Sequence, residues 1–283
     1  MRLPIKLNQR GFPPWVTGRL PSRDDPRRLQ SDYAVLGDFE SAITAIKVGS
    51  TWKSTSRNRH VLSDAMILDA LVGTHNPQIL EIGVSSGSSS LDLLERLGGR
   101  IGKYWSTDLF FHIRTMRKEN ATYFFHPLTQ RCILRVSDRL LVYAETGDAL
   151  PLFGWIATLL IARAPSFDAD SSQEVSLIHP VLRKRAAEDV RVVICEHDVF
   201  QEWRKEKVHL VKVANVLNRL YFSDDMIKTA IAEMKRALRP KGHLVIVDNR
   251  KVERASLFGL NNVGTFELRA EVNGGCEIGD LVR

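Results

Sequence analysis

The chain has 283 residues, of which 44% are hydrophobic and 26% are charged. These fractions exclude a disordered chain and are typical of a globular protein with a sizeable core. The formal net charge is +7, and residues 1–60 hold 11 Lys or Arg against 5 Asp or Glu, so the basic excess lies mainly in this segment. This basic excess is suited to binding nucleic acid, an acidic protein, a membrane surface or an anionic substrate, or it belongs to a solvated arm.

Cysteine content and the N-terminus indicate the compartment. Cys132, Cys195 and Cys276 are far apart and odd in number, which predicts neither a disulfide framework nor a CxxC metal site. The first ten residues, MRLPIKLNQR, contain no apolar signal region. A cytoplasmic location is therefore expected.

The N-terminal segment begins as an extended arm, because five prolines within residues 1–30 prevent long regular structure. Helical spacing then predicts helices over Tyr33–Val48 and Ser63–Leu71, the second capped by Ser63. A polar, basic loop, Ser50–His60, lies between them. It either covers a functional site or is an ordinary surface connection.

Gln78–Leu94 (QILEIGVSSGSSSLDLL) predicts a strand, a tight loop and a helix. Gly83 and Gly87 can take positive φ and allow close approach to the backbone, and the helix start offers unpaired N–H groups. The stretch does not match G-x-G-x-x-G, since Ser85 and Ser88 replace two glycines. It does fit acid-x-Gly-x-Gly-x-Gly at Glu81, Gly83 and Gly87, with Ser85 as the departure.

Two further strands end in acidic residues. Tyr104–Thr107 is followed by Asp108, which can accept hydrogen bonds from both hydroxyls of a ribose or cap the next helix. Val190–Cys195 is β-branched, as expected for a central parallel strand, and leads into Glu196–Phe200. Asp198 can accept the exocyclic N–H of an adenine, with Val199 and Phe200 against its ring. Three consecutive ligands alternate in direction along an extended segment, which argues against a metal site at Glu196, His197 and Asp198.

Residues 110–186 predict an insertion between these two strands. Arg139–Glu145 indicates a strand, and Ala149–Ala162 is an uncharged apolar run. Fourteen residues are too few to span a bilayer. A buried helix or a lid helix is expected. Alternatively, the run faces an apolar substrate or a membrane surface.

The C-terminal third predicts a βαβ unit. Val208–Ala214 is a strand ending at Asn215, Asp225–Leu238 is an amphipathic helix, and His243–Val247 is the next strand. An antiparallel hairpin is expected to close the chain, with Gly264–Val272 pairing with Cys276–Val282.

These signals together resemble the Rossmann-like (class I) methyltransferases that use S-adenosylmethionine (SAM). The resemblance covers about Ile79–Val247 and includes the Glu81–Gly87 loop, Asp108, Asp198 and the strand that ends at Asn215. ANVLNRLYF and LRPKGHLVIV are also locally similar to chemotaxis-receptor methyltransferases. Extra residues at Asn218–Leu220 and Lys241 in place of Gly are departures.

The resemblance implies an α/β fold: a mostly parallel seven-stranded Rossmann-like sheet with helices on both faces, a C-terminal antiparallel hairpin, and an N-terminal arm with helices. Residues 1–60 would form the arm and 61–283 the SAM-dependent domain, with an insertion at about 110–186. SAM would be the cofactor and S-adenosyl-L-homocysteine (SAH) its product. The residues implied in cofactor binding are Glu81, Gly83, Val84, Ser85, Gly87, Asp108, Leu109, Asp198, Val199 and Asn215.

Methyl transfer from a sulfonium needs the acceptor held close and in line, and needs a base only for a neutral O–H or a protonated N–H acceptor. Asn215 is the first candidate for positioning, and His197 either acts as a base or orients its loop. His112, Asn218 and Tyr221 also fall near predicted strand ends. The expected acceptor is an O or N atom of a small molecule. Alternatives are RNA or protein recruited by the basic N-terminus, or a non-catalytic Rossmann-like binding module.

Overall fold

The computed structural model describes residues 5–7, 22–30, 36–48, 51–53, 56–145, 151–249 and 251–282. The chain divides into two compact units. One contains Met1–Ser54 and Phe110–Ile178, and the other contains Thr55–Leu109 and His179–Arg283. We call them the antiparallel unit and the parallel unit, after the sheet that each contains.

The helical elements are a 3-10 helix (Pro26–Gln30), α1 (Leu36–Ile43), α2 (Val61–Ala70), α3 (Ser88–Leu97), α4 (Pro151–Ile161), α5 (Pro180–Glu188), α6 (Asp224–Ala237) and α7 (Gly279–Val282). The strands are β1 (Ile5–Leu7), β2 (Ser22–Arg23), β3 (Lys47–Val48), β4 (Thr51–Trp52), β5 (Gln78–Ile82), β6 (Lys103–Asp108), β7 (His112–Lys118), β8 (Ala121–Phe125), β9 (Cys132–Val136), β10 (Leu140–Tyr143), β11 (Gln173–Ser176), β12 (Val192–Glu196), β13 (Val208–Ala214), β14 (Leu238–Asn249), β15 (Glu253–Leu260) and β16 (Phe266–Val272).

The parallel unit contains a seven-stranded sheet with the order β12-β6-β5-β13-β14-β15-β16. The first five strands are parallel, and β15 runs antiparallel to both of its neighbours. From β5 the chain proceeds outward through β6 to β12, and then returns to β13 on the other side of β5. Ligands of such sheets bind at the carboxyl ends of the strands where the order reverses, which here is between β5 and β13.

The side-chain alternation of the strands places helices on both faces of this sheet. Leu80, Val211 and Val213 belong to one buried cluster together with apolar residues of α6, such as Ile227 and Met234. The intervening Lys212 points to the other face, where it meets Asp64 of α2. The expected Rossmann-like fold is confirmed by this arrangement.

Two details of the expected sheet are wrong. β12 is an edge strand rather than a central one, and only its first residue is fully buried. The closing hairpin is formed by β15 and β16, whereas the chain beyond β16 turns and ends in the helix α7. Asn273, Gly274 and Gly275 all have positive φ, which carries the chain out of the strand. The N–H of Cys276 then donates to Ser256 Oγ.

The start of α2 also differs from the expectation. His60 is its N-cap and makes no side-chain capping bond, and Ser63 lies within the helix. The free N–H groups of Leu62 and Ser63 donate to the carboxylate of Glu253, at 3.0 and 2.8 Å. The carboxylate of Glu253, 190 positions after Ser63, therefore caps the helix in place of the Ser63 side chain.

The antiparallel unit contains a second seven-stranded sheet, of order β11-β7-β8-β9-β10-β1-β2. Its neighbours are antiparallel except for β1 and β2. Because β1 pairs with β10, the N-terminal residues group with Phe110–Ile178. The sequence-based division at residue 60 separates these two segments.

Helix α4 covers most of the apolar run 149–162. Ala157 is buried, but Trp155 and Leu159, one turn apart, are 62% and 46% exposed. The helix therefore buries only one side. In the described part of the chain, no helix is long and apolar enough to cross a membrane.

Candidate functional site

The carboxyl ends of β12, β6, β5 and β13 lie side by side in the parallel unit. Glu196 pairs with Asp108, Thr107 with Ile82, and Ile82 with Val213 in the registers of neighbouring strands. The segments that follow these strands contain most of the residues selected from the sequence. They meet at one edge of the sheet.

Hydrogen bonds to β6 hold the loop after β5. The N–H groups of Gly83 and Val84 both donate to the Thr107 carbonyl oxygen, at 2.8 and 3.0 Å. Ser85 has φ of +60°, and its N–H donates to Asp108 Oδ2 at 2.7 Å. The loop and the acid at the end of β6 thus form one hydrogen-bonded unit.

Both loop glycines are required by the packing of the chain itself. Gly83 and Gly87 have φ of +76° and +83°. A Cβ on Gly83 would lie 2.1 Å from Val216 Cγ2, and one on Gly87 would lie 2.2 Å from Leu182 Cδ2. The positive φ values agree with the expectation. The atoms that leave no room for a Cβ at these glycines, however, belong to side chains of the protein itself, Val216 and Leu182.

Asp108 is mostly buried, while the next residue, Leu109, is 47% exposed. The Asp108 carbonyl oxygen accepts the N–H of His197, at 2.9 Å, which ties the end of β6 to the segment after β12. A mostly buried carboxylate therefore lies next to an exposed apolar side chain.

The segment after β12 turns sharply at Asp198. Oδ1 of Asp198 accepts the N–H of Phe200, at 3.0 Å, and Val199 is buried. The Phe200 ring packs edge-on against Phe222, and the His197 ring packs against Trp203 with centroids 5.1 Å apart. Burial lowers the pKa of His197, although Asp198 acts in the opposite direction. The lowered pKa favours the neutral imidazole.

Asn215 follows β13 with φ of +57°. Its N–H donates to the Val247 carbonyl oxygen at 2.8 Å, and its Oδ1 accepts the N–H of Asn249 at 2.6 Å. Since the side-chain oxygen is used in this way, the amide NH₂ is the group that Asn215 can offer to a ligand.

Glu81 lies inside the sheet core, although the sequence predicts that it contacts a cofactor. It is 1% exposed, its Oε1 lies 2.9 Å from Lys212 Nζ, and its Oε2 accepts the Tyr104 hydroxyl at 2.6 Å. Lys212 Nζ also lies 3.0 Å from Asp64 Oδ1. We call Asp64, Glu81, Tyr104 and Lys212 the buried charge cluster.

The groups of this cluster shift one another's titration. Burial acts to raise the pKa of Glu81, but Lys212 outweighs it and the pKa is lowered. Burial raises the pKa of Asp64 to about 6, although Lys212 acts against this change. Burial acts to lower the pKa of Lys212, and Glu81 and Asp64 reverse the effect so that it is raised. Lys212 therefore carries a full charge, matched by Glu81.

No motif in the sequence predicts a role for Lys212, His60 or Arg59. A single lysine within the apolar strand VHLVKVA was the available signal for Lys212. His60 is 4% exposed, and neither ring nitrogen has a hydrogen-bond partner among the described residues. Arg59 Nη2 donates to the Asn249 carbonyl oxygen at 3.0 Å, and Asn249 Nδ2 donates back to the Arg59 carbonyl oxygen at 2.6 Å.

The remaining candidates lie in different places. His112 belongs to β7 of the antiparallel unit, where its Nε2 lies 3.9 Å from Glu174. Asn218 is buried and its Oδ1 accepts the Leu220 N–H, whereas Tyr221 is exposed. Among the described residues, no three His, Cys, Asp or Glu side chains are grouped so that they could hold a metal ion.

No protein-family model matches the sequence, and no curated protein matches it. Among solved structures, the chain is similar to the N-methyltransferase NodS from Bradyrhizobium japonicum WM9 in complex with SAH, with 15% identity over 78% of this chain and 72% of that one, and a TM-score of 0.35.

The chain is also similar to two further solved structures. The glycopeptide N-methyltransferase MtfA complexed with SAH has 12% identity over 68% of this chain and 54% of that one, with a TM-score of 0.32. The CMeT domain of the citrinin polyketide synthase has 16% identity over 65% of this chain and 33% of that one, with a TM-score of 0.33. The chain thus corresponds to about half of MtfA and a third of the CMeT structure.

Proposed function

We propose that the parallel unit is a SAM-dependent methyltransferase domain. The main support is one relationship: the Gly83–Gly87 loop, which follows β5 beside the point where the strand order reverses, is hydrogen-bonded to Asp108 at the end of β6. Asp198 follows β12, which is the next strand beyond β6. Asn215 follows β13, which lies on the other side of β5.

The residues at this edge suit the parts of SAM. Asp108 offers carboxylate oxygens to ribose hydroxyls, and Leu109 offers an exposed apolar surface beside them. Asn215 offers its amide NH₂ on the side where the methionine part would lie. Bound there, SAM would supply an electrophilic methyl group on its sulfonium sulfur. Glu81 acts indirectly, because its ion pair with Lys212 fixes the end of β5 beneath the loop.

A neutral O–H acceptor would need to lose a proton. The imidazole of His197, whose lowered pKa favours the neutral form, can accept a proton, and its ring packs edge-on against Trp203. The exposed side chains after β13, Leu220 and Tyr221, favour an apolar small molecule as the acceptor. Transfer of labelled methyl groups from SAM to a panel of phenols, amines and carboxylic acids would identify the acceptor atom.

Calorimetric titration with SAM, NAD and ATP tests the cofactor. We expect SAM to bind preferentially and Asp108→Ala to weaken it by about 10- to 100-fold, the range for hydrogen bonds to a charged group. Asp69→Ala, an exposed aspartate of the same unit, is the matched control and should bind normally. Tighter binding of NAD than of SAM would refute the proposal.

A specific observation favours the alternative, a non-catalytic Rossmann-like module. Val216 and Leu182 account for both glycines of the loop without any ligand. In that case the protein would bind none of SAM, NAD and ATP, or it would bind SAM without transferring its methyl group to any of the phenols, amines and carboxylic acids.

A further inference from the structure

Helix α4 keeps one apolar side exposed in the antiparallel unit. The helix packs against β9 and β10, and Ala157 is buried. Trp155, Thr158 and Leu159 are exposed instead. Thr158 and Leu159 follow Trp155 by three and four positions, so they share its side of the helix. We call these three residues the exposed face of α4.

The exposed face of α4 has few groups that could hydrogen-bond to another protein. Pro151–Ile161 contains no charged residue, and its polar side-chain groups are the Trp155 indole N–H and the Thr158 hydroxyl. That hydroxyl donates to the Gly154 carbonyl oxygen at 2.9 Å, within the helix itself. An indole, which is an apolar ring with one N–H donor, is typical of side chains at the boundary between lipid and water.

Cations lie at the carboxyl-terminal end of α4. Arg163 follows the helix, and its carbonyl oxygen accepts a hydrogen bond from Lys118 Nζ at 3.2 Å. This contact brings the turn between β7 and β8 to the end of the helix. Both side chains are exposed, and Glu119 is the acidic residue of the turn.

A third cation lies on the same face of the antiparallel sheet. The Arg135 guanidinium of β9 is 5.9 Å from the centroid of the Tyr123 ring. Tyr123 belongs to one apolar cluster with Ala164, the residue directly after Arg163. Three positive charges therefore accompany this end of α4, against the one negative charge of its turn.

The acids that follow in the chain lie further away. Asp168 and Asp170 belong to a loop in which the Ala169 carbonyl oxygen accepts a hydrogen bond from Arg114 Nη1, at 3.2 Å. Arg114 precedes Lys118 by four residues on β7, a distance of about 13 Å along a strand. The apolar side of α4 thus ends among cations, and the acids are displaced along the sheet.

We propose that the exposed face of α4 binds the surface of an anionic membrane. Trp155 and Leu159 would enter the boundary between headgroups and acyl chains, and Lys118 and Arg163 would lie at the anionic headgroups. An apolar side with cations beside it is the pattern of helices that lie in the plane of a bilayer surface. Each Lys or Arg near an anionic leaflet adds to the attraction. This inference does not depend on the proposed cofactor.

Co-sedimentation of the 283-residue chain with vesicles tests the proposal. The vesicles contain phosphatidylcholine alone, or phosphatidylcholine with phosphatidylglycerol. We expect the wild type to bind the anionic vesicles, and to bind them less as salt is added, because salt screens the cations. Leu159→Ser should weaken this binding by about 10- to 100-fold, since it removes an apolar side chain that lipid would bury. Val263→Ser, at an exposed position of the parallel unit, is the matched control and should bind like the wild type.

A second pair of variants tests the cations. Lys118→Gln combined with Arg163→Gln should weaken binding to the anionic vesicles by about 10- to 100-fold. Binding to phosphatidylcholine alone should not change. Lys205→Gln combined with Lys228→Gln removes two exposed lysines of the parallel unit and is the control.

Tryptophan fluorescence locates the contact. The emission of the wild type should shift to shorter wavelength when anionic vesicles are added, because the Trp155 indole leaves water. Trp155→Phe keeps an aromatic ring, so it should still bind the vesicles while losing this shift.

A wild type that does not bind the anionic vesicles would overturn the proposal, as would equal binding by the wild type and Leu159→Ser. A wild type that dimerises without vesicles, with a monomeric Leu159→Ser variant, would also overturn it. The exposed face of α4 would then contact a second copy of the chain, and light scattering measures this outcome.

Discussion

Lys212 Nζ lies 2.9 Å from Glu81 Oε1 on adjacent central strands, and both side chains are almost inaccessible to water. The pair, completed by Asp64, places three charged groups inside the core directly below the Gly83–Gly87 loop. A buried pair is costly to break because the remaining charge keeps its desolvation penalty. The loop is therefore supported by a cluster that tolerates little change.

Lys212→Met should destabilise the protein by about 3 to 5 kcal/mol, because it leaves Glu81 and Asp64 buried without their cation. Urea unfolding followed by circular dichroism measures the change. Lys228→Met, at an exposed position of α6, is the control and should change stability by less than about 0.5 kcal/mol. Equal stability of the two variants would show that the buried charge cluster contributes nothing.

Gly83→Ala should destabilise the protein by about 2 to 4 kcal/mol, from the left-handed backbone and from overpacking against Val216. Adding Val216→Ala removes the overpacking but not the backbone strain. A double-mutant cycle in urea should therefore give a favourable coupling between the two sites. Strictly additive effects would contradict the contact.

Ser85→Gly should leave stability unchanged or raise it by up to about 1 kcal/mol, because φ of +60° is strained for serine and allowed for glycine. The backbone N–H that donates to Asp108 remains. Ser85→Val, with a β-branched side chain, should instead destabilise the protein. Thermal unfolding of both variants checks the sign of each effect.

His60 should make stability depend on pH. Burial, with Lys212, lowers its pKa in the folded protein to about 3, against about 6.5 in an unfolded chain. The unfolded state therefore binds more protons between these values. The stability that the neutral His60 contributes is complete above about pH 6.5 and is lost as the pH falls toward 3, by about 1.4 kcal/mol per unit.

The difference in unfolding free energy between the wild type and His60→Gln, measured from pH 7.5 to pH 5, isolates this contribution. We expect the wild type to lose stability relative to His60→Gln as the pH falls. His75→Gln, at an exposed position, is the control and should follow the wild type at every pH. Parallel curves for wild type and His60→Gln would rule out a buried neutral histidine.

The sequence predicted the central part of the parallel unit well. Val208–Ala214 has the predicted bounds, and the strand, loop and helix around Gly83 begin and end within a few residues of the prediction. These elements carry strong local signals, namely apolar runs with glycines at their ends. The position of β12 at the edge could not be read from its β-branched residues, because pairing partners are set by the whole sheet.

The candidate site was also predicted only in part, because its remaining contacts depend on pairing across the whole sheet. Asp108, Asp198 and Asn215 follow strands that are easy to recognise, and the structure brings their segments to one edge. The roles of these residues in binding and catalysis remain predictions, as does the local similarity to chemotaxis-receptor methyltransferases. The ion-pair partner of Glu81, Lys212, is 131 positions away, and Asn249, which bonds to Arg59, is 190 positions away. No local pattern in the sequence connects these residues.

The Glu253 cap of α2 and the pairing of Arg59 with Asn249 have a consequence for how the protein matures on the ribosome. Each joins the chain near residue 60 to the chain near residue 250. The final contacts of the amino-terminal half of the site can therefore form only after the chain has been synthesised past residue 253. Nascent chains that stop before β14 would carry a Gly83–Gly87 loop with one side of its surroundings missing.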